Sequence, residues 1–153
     1  MSTPPERLLL VACSGGHLLQ LLALESAWQD EQRVWVTLPT PDAKALLEAE
    51  QVIYAHGPTP RSLVNLLLNL HLACRVVRRC KPTAIISTGA GLAVPFFIVG
   101  RLHHLRLIYV ESFTRTRKLS LSGRIVYPLA DSFFVQWPLE CAPRRAIYAG
   151  SVV

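Results

Sequence analysis

The chain has 153 residues, 51% of them hydrophobic and only 17% charged, and its 16 Lys and Arg against 10 Asp and Glu give a net charge of +6. That length fits one domain, residues 1–153, able to bury a core without disulfide or metal staples, and no apolar run approaches the roughly 18 residues that span a bilayer. A basic, apolar chain of this size suits an anionic membrane surface or an acidic ligand; no nucleic-acid-binding motif is visible, and the basic residues lack interleaved aromatics.

Residues 1–13 start polar and acidic with only a short apolar run, which argues against a signal peptide. Within them, residues 8–12 read as a first strand, followed by the loop Ser14-Gly15-Gly16-His17 and an amphipathic helix over 18–28. A strand at 34–38, a helix at 41–50 and a strand at 52–55 come next. The spacing then predicts a long helix over 61–79, with Leu66, Leu67, Leu70, Ala73 and Val77 largely on its core face. His71, Arg75, Arg78 and Arg79 share another face, which is either a solvated basic surface or a row of cations for lipid head groups. Asn65, Asn69 and His71 interrupt this apolar stretch and disqualify it as a membrane span.

A strand at 84–87 leads into Thr88-Gly89-Ala90-Gly91 and a helix over 93–103. After a strand at 105–110 comes Glu111-Ser112-Phe113, then a polar, basic, serine-rich stretch, 114–123, expected to be a mobile loop. Strands at 133–135, ending in Gln136-Trp137, and at 147–149 complete the chain. The strands are continuously apolar rather than alternating, as strands buried on both faces are. Their alternation with helices predicts an α/β protein with a doubly wound, mostly parallel sheet. Cys13, Cys74, Cys80 and Cys141 form no CxxC and have no histidine at zinc spacing, so they are expected to be reduced and mostly buried.

In an open parallel sheet, ligands bind outside the carboxyl ends of the strands. The loops after the strands therefore bring two glycine-rich turns, His17, Glu111 and several hydroxyls to one edge. Glycines let backbone N–H groups approach phosphate oxygens beside a helix N-terminus, and an imidazole there can accept a proton from an attacking hydroxyl. Each element also has a plainer reading. SGGH serves equally as a tight turn, Gly89 and Gly91 as close helix–sheet packing, and Glu111 as a structural partner of Arg115 or Arg117. The absence of both G-x-G-x-x-G and a Walker pattern after the first strand disfavours a dehydrogenase or a P-loop enzyme.

Taken together, SGGH, STGAGLAVPF (87–96), YVESFTRTRKLSLSGRIVYPLADSFFVQWPL (109–139) and YAGSVV (148–153) resemble the membrane-associated subunit of split GT-B glycosyltransferases. In eukaryotes that subunit, with a smaller partner, adds the second N-acetylglucosamine to dolichol-linked sugar; bacterial relatives act in capsule and exopolysaccharide assembly. The resemblance implies a Rossmann-like domain equivalent to the N-terminal half of a GT-B enzyme. It implies an inverting transfer from a UDP-sugar to a polyprenyl-diphosphate-linked acceptor, with the UDP-sugar held mainly by a separate subunit and no metal or other cofactor. His17 or Glu111 would be the base, and Ser14, Gly15, Gly16, Thr88, Gly89, Gly91, Ser112, Arg115 and Arg117 would contact the acceptor and its diphosphate. With only residues 1–7 before the first strand, attachment is expected to be peripheral, at the cytoplasmic face of a bacterial inner membrane, through Leu92–Phe97 and the Arg75–Arg79 face. The competing readings are a non-catalytic adaptor that recruits a catalytic subunit and a stand-alone nucleotide-binding protein.

Overall fold

A computed structural model describes residues 6–140 and 143–152. Seven strands, β1 (Arg7–Val11), β2 (Gln32–Thr37), β3 (Val52–Tyr54), β4 (Ala84–Ser87), β5 (Arg106–Val110), β6 (Ser132–Val135) and β7 (Ala146–Tyr148), form one sheet in the order β3-β2-β1-β4-β5-β6-β7. Every pairing is parallel. Among the described residues, five α-helices connect them: α1 (Gly16–Ala23), α2 (Pro41–Leu46), α3 (Leu63–Cys80), α4 (Ala93–Leu102) and α5 (Leu121–Val126).

Strand side chains alternate between two cores, as the period-two geometry requires. Leu9 and Val11 of β1 join Ala73, Phe96, Phe97, Tyr109 and Phe133 under α3, α4 and α5. Leu8 and Leu10 join Leu18, Leu21, Trp28, Trp35 and Leu47 under α1 and α2. On that second face a groove of about 450 Å³ lies beyond α1, lined by Leu24, Ile86, Ile108, Phe134 and the segment Ala149–Val152.

Three expectations need correction. Leu92–Phe97 is no membrane surface, because these residues are buried. A helix that is apolar all round belongs in a core, and α4 lies between α3 and α5 against the sheet. Leu67 is 64% exposed rather than core-facing. The stretch 114–123 is not wholly loop: Ser120 accepts a hydrogen bond from the Gly123 N–H and starts α5. Of the cysteines, Cys13 is buried while Cys74 and Cys80 are half-buried, and all three are free; Cys141 lies outside the described residues.

Candidate functional site

The strand order reverses between β1 and β4, so the loops leaving their carboxyl ends diverge and open a crevice. His17, in the first turn of α1, bridges it. Its Nδ1 lies 2.9 Å from the Thr88 carbonyl oxygen, and the Thr88 hydroxyl donates back to the His17 carbonyl. A carbonyl oxygen can only accept, so Nδ1 carries the hydrogen and Nε2 is the acceptor nitrogen of the neutral ring. Gly89 is what allows this approach. Its φ is +113°, and a Cβ there would lie 3.0 Å from the Tyr109 hydroxyl and 3.3 Å from the His17 ring. Burial, with a lesser push from the charge of Glu111, drives the Tyr109 phenol well above its usual range.

A cavity of about 610 Å³ opens beside this pair. His17, Gly91, Ser112 and Arg115 line it, and so do Thr59, Arg61, Ser62, Thr114, Ser120 and Ser122. Its lining holds two arginines, one histidine and six hydroxyls but no carboxylate. The remaining wall is apolar, built from Leu63 and Leu66 of α3, Val94 of α4, and Leu121 and Ile125 of α5. At the rim Leu63 is 75% and Leu121 71% exposed.

The other expected site residues lie elsewhere. Ser14, Gly15, Gly16, Thr88, Gly89 and Arg117 do not line the cavity, and neither does Glu111. The Gly15 N–H donates to Asp42 at 3.2 Å. The Thr40 hydroxyl, ahead of the Gly15 amide, holds this exposed carboxyl below its usual range. An anion in the SGGH turn would therefore meet a carboxylate, and the turn reading fits it better than the phosphate cradle. Glu111 is 1% exposed, and its carboxylate accepts from the Ser112 N–H (2.9 Å), the Ser120 N–H (2.9 Å) and the Ser120 hydroxyl (2.9 Å). Its partners are these serines, not Arg115 or Arg117. A Cβ on Gly123 would collide with this carboxylate, so the glycine makes room for it.

Sequence reasoning missed Ser120 and Ser122, and with them Thr59, Arg61 and Ser62. The helix expected from 61 begins at Leu63 instead, because Ser62 caps it by accepting from the Asn65 N–H at 3.3 Å. A topological signal was available. β3 lies at one edge of the sheet and β4 pairs with the far side of β1, so the chain between them must cross above β1. Two asparagines hold the crossing. Asn65 Nδ2 donates to the Pro58 carbonyl at 2.8 Å, and Asn69, 2% exposed, pairs with the N–H and C=O of His56 at 2.8 and 2.9 Å. The crossing brings Thr59 Oγ1 to 3.5 Å from Cys13 Sγ, whose thiol burial pushes up.

Among the described residues no cluster of three His, Cys, Asp or Glu side chains could hold a metal ion, and no helix is long and apolar enough to cross a membrane.

The all-parallel seven-stranded sheet with its crevice at the β1/β4 reversal is a Rossmann-like α/β fold of the kind found in GT-B glycosyltransferases. Acinetobacter baumannii MurG superposes with a TM-score of 0.80 at 17% identity over 97% of this chain and 46% of that one. CalG4, the calicheamicin glycosyltransferase, superposes with 0.65 at 12% identity over 97% and 53%. The chain thus spans about half the length of these solved structures. Residues 45–152 match the family described as oligosaccharide biosynthesis protein Alg14 like, and the chain belongs to that family. The UDP-N-acetylglucosamine transferase subunit ALG14 of Eremothecium gossypii is 32% identical over 98% of this chain and 81% of its own length. The subunit of the same name from Mus musculus is 29% identical over 99% and 86%.

Proposed function

We propose that the chain is the acceptor-binding subunit of a two-component inverting glycosyltransferase. Its substrate is a sugar on a polyprenyl diphosphate, the lipid-linked intermediate of oligosaccharide or polysaccharide assembly. The observation that carries this reading is the cavity. Two arginines and a ring of hydroxyls, with no carboxylate, suit a diphosphate and a sugar, and the adjoining wall of Leu63, Leu66, Leu121 and Ile125 suits an apolar tail. Arg61 and Arg115 hold the diphosphate, with Gly91 and Ser112 beside them. His17, oriented by the Thr88 carbonyl, takes the proton of the acceptor hydroxyl as it attacks the anomeric carbon, and UDP leaves. Glu111 acts as a positioning residue, because its carboxylate is taken up by its own loop. The reading invokes no resident metal or cofactor.

The UDP-sugar belongs to a separate subunit, a reading supported by the transferase-subunit names of the relatives. That subunit docks along Ile147–Val152 and the apolar groove beside it, on the side where Ile147 and Tyr148 are exposed. Attachment to the cytoplasmic face of the membrane is peripheral, along the outer face of α3. The isolated chain transfers no sugar, and mixing it with the UDP-sugar-binding subunit restores transfer to a short-chain polyprenyl-diphosphate acceptor. In that mixture His17→Ala lowers kcat by about 10²–10⁴-fold. A rate within twofold of wild type would leave the adaptor reading in its place.

A further inference from the structure

Two buried glutamines tie together loops that are far apart in sequence. Gln136 follows β6 and is 2% exposed; Gln20 lies on α1 and is 7% exposed. The Gln136 amide nitrogen donates to Gln20 Oε1 at 2.7 Å and to the Glu111 carbonyl at 3.0 Å. Its oxygen accepts from the Val152 N–H at 3.1 Å and from the Ser151 hydroxyl at 3.3 Å. Gln20 Oε1 also accepts from the Phe113 N–H at 2.8 Å, while its nitrogen donates to the Gly16 carbonyl at 3.1 Å. Val152 and Phe113 offer backbone N–H groups, which can only donate, so neither amide can flip without losing a bond. The dipoles therefore run head to tail from Val152 through Gln136 and Gln20 to Gly16, an arrangement in which each bond polarises the next.

We infer that Gln136 and Gln20 are positioning residues that couple the seating of the Gly150–Val152 segment to the loops of the acceptor cavity. Neither glutamine lines the acceptor cavity, while Gln136 lines the groove beside Ala149–Val152. They fix the backbone at Gly16, next to His17, and at Glu111 and Phe113, on either side of cavity-lining Ser112. Trp137 adds a clamp to the same loop, its indole donating to the Phe113 carbonyl at 2.6 Å. If the UDP-sugar-binding subunit docks on Ile147–Val152, as the preceding reading holds, its arrival sets the acceptor loops through this relay. The donor site and the acceptor site then become competent together.

Residue-resolved hydrogen exchange on the whole chain tests the relay directly. Val152→Pro deletes the N–H that Gln136 accepts, and the Phe113 amide then exchanges about tenfold faster while core strand amides such as Leu9 and Ile85 keep their protection. Unchanged exchange at Phe113 overturns the inference. In the assembled transferase, Gln136→Met binds the partner subunit within about threefold of wild type but lowers kcat about tenfold. Equal kcat with a lowered melting temperature would reduce the pair to a packing role and overturn the inference too. Removing residues 150–153 separates the two ideas. If partner affinity survives that truncation while Val152→Pro still loosens Phe113, the relay stands and the docking reading fails.

Discussion

At the scale of single residues, the site depends on how His17 is held. The Thr88 carbonyl fixes its tautomer, and Gly89 leaves it space. Gly89→Ala places a methyl group between the Tyr109 hydroxyl and the imidazole at a backbone angle that side chains rarely adopt. The expected result is a fall in kcat of about 10²-fold, the usual cost of a 1 Å misplacement. Circular dichroism should show the fold retained. Glu111→Gln is a different case. One carboxylate oxygen becomes an NH₂ facing N–H and O–H donors, and a buried charge-assisted bond is lost. Chemical denaturation should register about 2–3 kcal/mol of lost stability, and the pH dependence of kcat should stay as it was. A changed pH profile would return Glu111 to the catalytic role that its place at a strand end first suggested.

At the scale of elements, α3 does two jobs with its two faces. Its inner face carries Ala73, Val76 and Val77 into the core, together with Asn69, which pins the crossing loop. Asn69→Leu leaves the His56 N–H and C=O unpaired and is expected to cost about 2–4 kcal/mol by denaturant titration. It should also weaken acceptor binding, since Arg61 rides on that loop. The outer face is graded: Leu63, Val64, Leu67 and Leu68 are exposed near the cavity, and His71, Arg75, Arg78 and Arg79 follow toward the far end. On the peripheral-attachment reading proposed above, this face, apolar and then basic, is the one that meets the membrane. Burying each such side chain is worth about 1.5–3 kcal/mol, so Leu63→Glu with Leu67→Glu should lower partition onto vesicles at least about tenfold. Flotation with vesicles containing anionic lipid would measure it, and unaltered partition would move the membrane face off α3.

At the scale of the whole molecule, the apolar and basic parts of that face predict a mixed salt response. The Debye length shrinks from about 10 Å at 0.1 M salt to about 3 Å at 1 M. High salt should therefore strip the arginine contribution to vesicle binding and leave the leucine contribution, whereas a purely electrostatic attachment would vanish. The sequence by itself determined the strands, their parallel pairing, and the side to which the loops after the strands run. Continuous apolar runs separated by helical periodicities admit few other arrangements, and parallel connection sends every strand's carboxyl end to the same side. It also carried the family, through ESFTRTRKLSLSGR and FFVQWP. Only the tertiary structure decided which residues on that side line the cavity. Periodicity could not show that Glu111 turns inward onto Ser120, because a carboxylate's partner is set by loop closure rather than spacing. Nor could it show that a helix start two residues later, at Leu63, would leave Arg61 on the cavity. Gln136 stood out only as the residue after a strand, and Gln20 not at all, until the fold placed them 2.7 Å apart, 116 residues distant in sequence. Contacts of that range belong to packing, and packing is what the linear pattern does not contain.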